Sequence, residues 1–171
     1  MILITAFEPF DKRDHNQSLE ILQKLDARYQ KVVLPVSVSK IASVMNKLHL
    51  EQYSLVVMMG EANRTKITIE QYAYNEIKMR IPDNDGIKIE DKTISTGKAR
   101  IETNRDVSQY LDELVELSTD PGRYLCNMAY YLGLTQNRNT VFIHVPISSD
   151  RDILRKVEAL INAIEKDSNT R

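Results

Sequence analysis

Cys126 is the single cysteine in this 171-residue chain, and His15, His49 and His144 are the only imidazoles that could act with it. A lone cysteine closes no internal disulfide and supplies neither a metal pair nor a Cys-x-x-Cys redox motif. Two uses remain for the thiol: packing in a core, or nucleophilic chemistry. The segment Cys126-Asn127-Met128-Ala129-Tyr130-Tyr131-Leu132 reads as a short helix with the thiol at its N-terminal end. Unpaired backbone N–H groups and the positive end of the helix dipole favour thiolate there. His144 interrupts an otherwise apolar strand pattern, Thr140 to Val145, that stops at Pro146. A polar ring in that setting is either a satisfied core histidine or an acid–base group at a strand end. Arg64, Glu70 and Arg80 add charge to segments otherwise patterned for a sheet, which edge positions would explain as well as a site.

Other chemistries lack their residues. No His-Glu-x-x-His or paired Cys/His spacing supports a metal, and no glycine-rich phosphate loop supports a nucleotide, so no cofactor is expected. Asp83-Asn84-Asp85-Gly86 is too short for a calcium loop and reads as a turn. Charge is balanced, 23 Lys plus Arg against 24 Asp plus Glu, with no basic stripe for nucleic acid or an anionic membrane. No apolar run is long enough to span a bilayer, and Met1 to Phe7 followed by Glu8 reads as a first strand rather than a leader. A cytoplasmic location is the expectation.

The elements that must position these side chains alternate in type. Strand patterns at 1–6 and 31–34 flank a helical stripe at 18–26, and a second stripe at 39–49 precedes the apolar run Leu55 to Met59 ending at Gly60. Such a run suits a central parallel strand. A period-two segment follows Thr65, with Tyr72 and Tyr74 on one face, and a second extended segment from Ile87 to Ile94 would pair with it as a hairpin or flap. The spacing of Val107, Leu111, Leu114 and Val115 predicts a packing helix over 105–117. Ser149 is read as the cap of a last helix whose inner face carries Ile153, Val157, Leu160, Ile161 and Ile164, with a frayed polar tail after Lys166. The mass of 19.7 kDa suits one domain over 1–171, with a surface of about 8,600 Å².

Several segments together resemble pyroglutamyl peptidase I, the cytosolic cysteine peptidases that remove an N-terminal pyroglutamyl residue. They are Phe7-Glu8-Pro9-Phe10, Leu34-Pro35-Val36, Gly60-Glu61-Ala62-Asn63-Arg64, Ile67-Thr68-Ile69-Glu70 with Asn75, Arg80 to Gly86, Gly122 to Asn127, and Phe142-Ile143-His144-Val145-Pro146. Each is weak alone, but they occur in family order over most of the chain. The resemblance implies a three-layer α/β/α sandwich around a twisted, mostly parallel mixed sheet. It implies Cys126 as nucleophile, His144 as general base and acid, and Glu70 as the carboxylate that orients the imidazole. It places Arg80 beside the oxyanion, Phe7 and Phe10 on the faces of the flat lactam, and Asn16 and Ser18 after the first loop. The implied partners are N-terminally blocked peptides, and a homo-oligomer stays open because no apolar stripe assigns its interface.

Departures from the family pattern concern specificity. Asp11-Lys12 replaces the usual glycine pair, Glu61 stands where a glutamine is usual, and the chain is shortened after Gly86, after Cys126 and after Pro146. An ionised Glu61 facing the ligand would accept from a lactam N–H but repel its carbonyl. Two other readings therefore stand beside the peptidase: a cysteine amidase for another cyclic or blocked acyl group, and a catalytically weak binding protein on the same fold.

Overall fold

In the computed structural model, which describes residues 1–148 and 150–168, the apolar runs become the middle of a sheet. Strands β1 (Ile2–Phe7), β2 (Gln30–Leu34), β3 (Leu55–Ala62), β4 (Ile67–Glu70), β7 (Val115–Ser118) and β8 (Thr140–Pro146) lie in the order β2-β1-β3-β8-β4-β7. β2, β1, β3 and β8 run parallel; β4 is antiparallel to β8 and parallel to β7. The central strands β3 and β8 are apolar on both faces because both faces are covered.

Helices α1 (Gln17–Lys24) and α4 (Arg151–Ser168) cover one face, with Ile21 and Leu22 and then Ile153, Val157, Leu160 and Ile164 packed on Ile4, Val57, Met59 and Ile143. Helices α2 (Val38–Lys47) and α3 (Leu125–Gln136) cover the other, where Ile41, Met45, Ala129 and Tyr130 meet Leu3, Val56, Met58 and Phe142. This is the expected mostly parallel α/β/α sandwich. The cap assigned to Ser149 and the end of the polar tail fall outside the described residues.

Two expectations are corrected. The period-two stretch after Thr65 divides between two sheets: β4 ends at Glu70, and β5 (Tyr72–Tyr74) pairs with β6 (Arg100–Glu102). The 87–94 segment runs back along residues 75–83 through the β-bridge of Ile77 and Lys92 and single backbone bonds from Met79 N to the Ile89 carbonyl and from Asp83 N to the Ile87 carbonyl, but it forms no strand and does not pair with β4 or β5. Residues 105–117 are not a helix; they hold a 3₁₀ turn at Ser108–Tyr110 and then β7. Asp106 accepts hydrogen bonds from the Ser108 N–H and hydroxyl, and Asp112 accepts from the N–H groups of Leu114 and Val115. These local aspartate turns take the donors a helix would need. Leu111 and Leu114 are left 38% and 43% exposed, so the apparent helical stripe is not a packing face.

The 83–86 turn is tied to the start of α2. The buried Asp83 carboxylate accepts from Val38 N at 2.8 Å, Ile87 N at 2.9 Å and Asp85 N at 3.0 Å, while Gly86 supplies the left-handed residue at φ 82°. A remote carboxylate thus satisfies a free N–H of the α2 first turn. Asp83→Ala should cost about 2 kcal/mol, lowering the thermal midpoint by roughly 4–8 °C in a domain of this size. An unchanged midpoint would show that other contacts hold the turn.

Candidate active site

Three neighbouring strands set one row of the site: Gly60 on β3 is level with His144 on β8, which is level with Thr68 on β4. Glu70, two residues along β4, projects from the same face as Thr68 and reaches His144 diagonally. Its Oε1 lies 2.7 Å from His144 Nδ1 and 2.6 Å from Arg64 Nη1, and it also accepts from the Thr68 hydroxyl at 3.4 Å. Arg64 is itself held by Thr68 Oγ1 and by the carbonyl of Asp120. Tyr130 O–H donates to the Glu70 carbonyl at 2.8 Å, which fixes the strand end from the α3 side.

The thiol arrives from above. Cys126 is the second residue of α3, and a Cβ added at Gly60 would stand 2.5 Å from its Sγ and 2.9 Å from Phe142 Cζ. The sulfur therefore occupies the space that any side chain at position 60 would need, on the strand adjoining His144. The Phe142 ring packs against the imidazole at 4.8 Å between centroids. Cys126 and His144 line the same cavity.

Burial decides the charge states. Burial pushes the Cys126 thiol up to about 12, and the carboxylates of Glu70 and Glu61 push the same way against Arg64. This reverses the thiolate preference expected from the helix N-terminus: the half-buried sulfur is largely cut off from water, and the nearby fixed charges are mostly negative. Burial also lowers His144 below 6.5, although Glu70 opposes it. Glu70 is held below the usual carboxylate range; its burial would raise it, but the hydrogen bond from His144 and the charge of Arg64 prevail. An ionised carboxylate only accepts, so Nδ1 carries the proton and Nε2 keeps a free lone pair. The resting pair is a neutral thiol and a neutral imidazole.

The cavity holds about 180 Å³, and Phe7, Phe10, Val36, Pro121 and Tyr124 make most of its wall. Phe7 is 2% exposed at the end of β1, and the Phe10 ring leans on Tyr124 at 5.9 Å. Asn16 also lines it, but its polar atoms serve the backbone: Oδ1 accepts from Ser18 N and Oγ as the α1 cap, and Nδ2 donates to the Glu8 carbonyl. Glu61 lines the cavity without a free carboxylate, because Arg13 and the N–H of Gln17 take its oxygens. Arg80 is exposed and lines a separate cavity with Glu76 and Lys78, joined to the first only through Tyr124.

The family model described as pyroglutamyl peptidase, Peptidase_C15, matches residues 1–163. The chain belongs to the pyroglutamyl peptidase family. It is 34% identical over 165 residues to a pyrrolidone-carboxylate peptidase of Staphylococcus aureus, covering 85% of this chain and 78% of that one. A second S. aureus relative of the same name, from strain JH9, is 33% identical over 198 residues, covering 98% and 93%. Among solved structures, the pyrrolidone carboxyl peptidase of Thermus thermophilus superposes with a TM-score of 0.86 at 28% identity, covering 96% of this chain and 98% of that one. The E192V mutant enzyme of Pyrococcus furiosus gives 0.87 at 28% identity, covering 97% and 98%.

Sequence reasoning within this family frame missed three contributors. Arg64 has no role in the sequence reading beyond a charge near a strand and a place in the Gly60 to Arg64 segment, and its pairing with Glu70 across six residues needs the turn after β3 to be known. Gly60 was read as the end of an apolar run, although a lone glycine there was a signal of close approach. Arg13 carried no motif at all.

The charge states set a pH dependence. The usual values are 6.5 for His144 and 4.5 for Glu70, and both are lowered by folding. Their stability is fully present above those values and is lost as pH falls through them toward the folded values, because the unfolded chain then binds more protons. Between pH 7 and pH 5 the thermal midpoint should fall further in the native protein than in His144→Gln. Parallel slopes would mean that the imidazole titrates as it does in water.

Proposed function

We propose that the protein hydrolyses the amide bond that follows an N-terminal pyroglutamyl residue, with Cys126, His144 and Glu70 as its catalytic set. The observation that carries this reading is the sulfur seated over Gly60 beside an imidazole already tied to a buried carboxylate. The pyrrolidone-carboxylate peptidase names of its relatives supply the acyl group. A planar lactam is nearly neutral and has two flat faces, which suits a cavity walled by Phe7, Phe10 and Tyr124.

His144 Nε2 takes the thiol proton as the sulfur attacks the scissile carbonyl, so the neutral pair becomes charged only when the C–S bond forms. The oxyanion falls at the start of α3, where the first-turn N–H groups have no helical partner. The C–N bond then breaks, and the imidazolium gives its proton to the departing amine. In the second half His144 removes a proton from water, the hydroxide displaces sulfur from the pyroglutamyl thioester, and the thiol is restored. Glu70 keeps the proton on Nδ1 and stabilises the imidazolium throughout. Arg80, which the resemblance sets beside the oxyanion, lines the neighbouring cavity, the side on which the departing peptide would leave.

No helix among the described residues is long and apolar enough to cross a membrane. A lone cysteine suits a reducing compartment such as the cytoplasm, and balanced charge argues against a nucleic-acid partner. Self-association would draw on β7, an edge strand whose surroundings expose Leu111, Leu114 and Leu117.

A fluorogenic pyroglutamyl amide, assayed with a reducing agent, tests the reading. The native protein should release the fluorophore, Cys126→Ala should not, and Glu70→Gln should lose about 10³–10⁴ in kcat because the imidazole tautomer is no longer enforced. Native protein that releases nothing while iodoacetamide still labels Cys126 faster than in His144→Ala would point to a different acyl group.

A further inference from the structure

Glu61 presents an unusual wall for a pocket that takes a neutral ring. Its side chain is 1% exposed, and both oxygens are used inside the protein: Oε1 pairs with Arg13 Nη1, while Oε2 accepts from Gln17 N at 2.7 Å and Arg13 Nη2 at 3.4 Å. A buried carboxylate without a cation is strongly unfavourable, so Arg13 is required once Glu61 is present. Arg13 itself stands on the loop from Glu8 to Asn16 that also carries Phe10. Between Phe10 and Arg13, Asp11 and Lys12 both lie in the left-handed region, at φ 57° and 58°, with exposed side chains that gain nothing from the shape. Asp11 tolerates that conformation, but Lys12 does not favour it by itself. The Arg13 N–H closes the turn locally on the Phe10 carbonyl at 3.2 Å, and the rest of the molecule anchors it.

Within the loop Arg13 Nη2 also lies 3.0 Å from His15 Nε2, and further ties sit at its two ends. Asn84 donates to the Pro9 carbonyl at 2.9 Å and to Glu8 Oε1 at 3.1 Å, and Asn16 donates to the Glu8 carbonyl. Arg13 reaches across to the end of β3 from the far side of the strained pair.

We infer that Arg13 is a positioning residue for the acyl pocket: through its ion pair with Glu61 it neutralises the pocket wall and holds the strained Asp11-Lys12 loop, with Phe10, over the bound ring. This rests on the reading of that cavity as the lactam site. Arg13 has no part in the bond-making steps, so its removal acts on binding. Arg13→Met should raise KM for the pyroglutamyl amide by about tenfold to a hundredfold while kcat stays within about threefold of native. Adding Glu61→Gln should restore much of the loss, since a neutral amide can keep Gln17 N without demanding a cation. Asp11→Gly with Lys12→Gly in the Arg13→Met background should also recover KM in part by removing the backbone strain. If Arg13→Met does not fold, Arg13→Lys serves in its place, with a smaller rise in KM at native kcat.

Native KM and kcat in the Arg13 variant would overturn the inference. So would a defect in kcat alone, or a KM defect that Glu61→Gln leaves unchanged in the double variant. A native protein that does not hydrolyse the pyroglutamyl amide would instead remove the substrate reading, and the two failures are told apart by the native control.

Discussion

A carboxylate shut away from water between a guanidinium and an imidazole is the constraint around which the rest is arranged. Glu70 is fully buried, and its Oε1 is held by His144, Arg64 and Thr68 at once. Removing any one donor would leave a charge with too few partners in a low-dielectric setting. The arrangement therefore demands a particular sheet. β4 has to run antiparallel to β8 so that Thr68 stands opposite His144 and Glu70 lies diagonal to it, and the turn after β3 has to return Arg64 to the same spot. The reversal of direction between β8 and β4, which β7 then follows, is thus what brings the carboxylate to the imidazole.

The thiol is placed by a separate device, which is steric. α3 starts over the C-terminal end of β3, and its second residue can descend to the strand only because position 60 carries no Cβ. Packing continues along α3 through Ala129, Tyr130 and Tyr131, all fully buried, so the helix cannot lift without opening the second core. Together the two devices bring a sulfur and a tethered imidazole to one cavity before any ligand arrives. Preorganisation of this kind lets charge develop on the pair only during reaction, in surroundings already oriented toward it.

The strands with continuous apolar runs were legible because burial on both faces leaves no other pattern: β1, β3 and β8 all lie where the periodicity placed them. So was the helix that carries Cys126 in its first turn. The 105–117 segment misled because leucines at helical spacing also occur on exposed turns, and the aspartates that set those turns, Asp106 and Asp112, act through single local hydrogen bonds that leave no period. Cys126, His144 and Glu70 entered through motif resemblance, and Phe7 and Phe10 with them. Arg13 stayed invisible because its meaning depends on a contact 48 residues away with Glu61. Arg80 entered through the same resemblance and lines the neighbouring cavity.

The central claim is that Glu70 fixes a neutral, Nδ1-protonated imidazole beside a neutral thiol. Nitrogen-detected NMR of the His144 ring at pH 7, in native protein and in Glu70→Gln, reads this directly. The account predicts one protonated nitrogen, Nδ1, in the native ring with Nε2 bare, and loss of that single tautomer when the carboxylate is replaced. A native ring protonated on both nitrogens at pH 7 would contradict it, because the resting state would then be a thiolate–imidazolium pair.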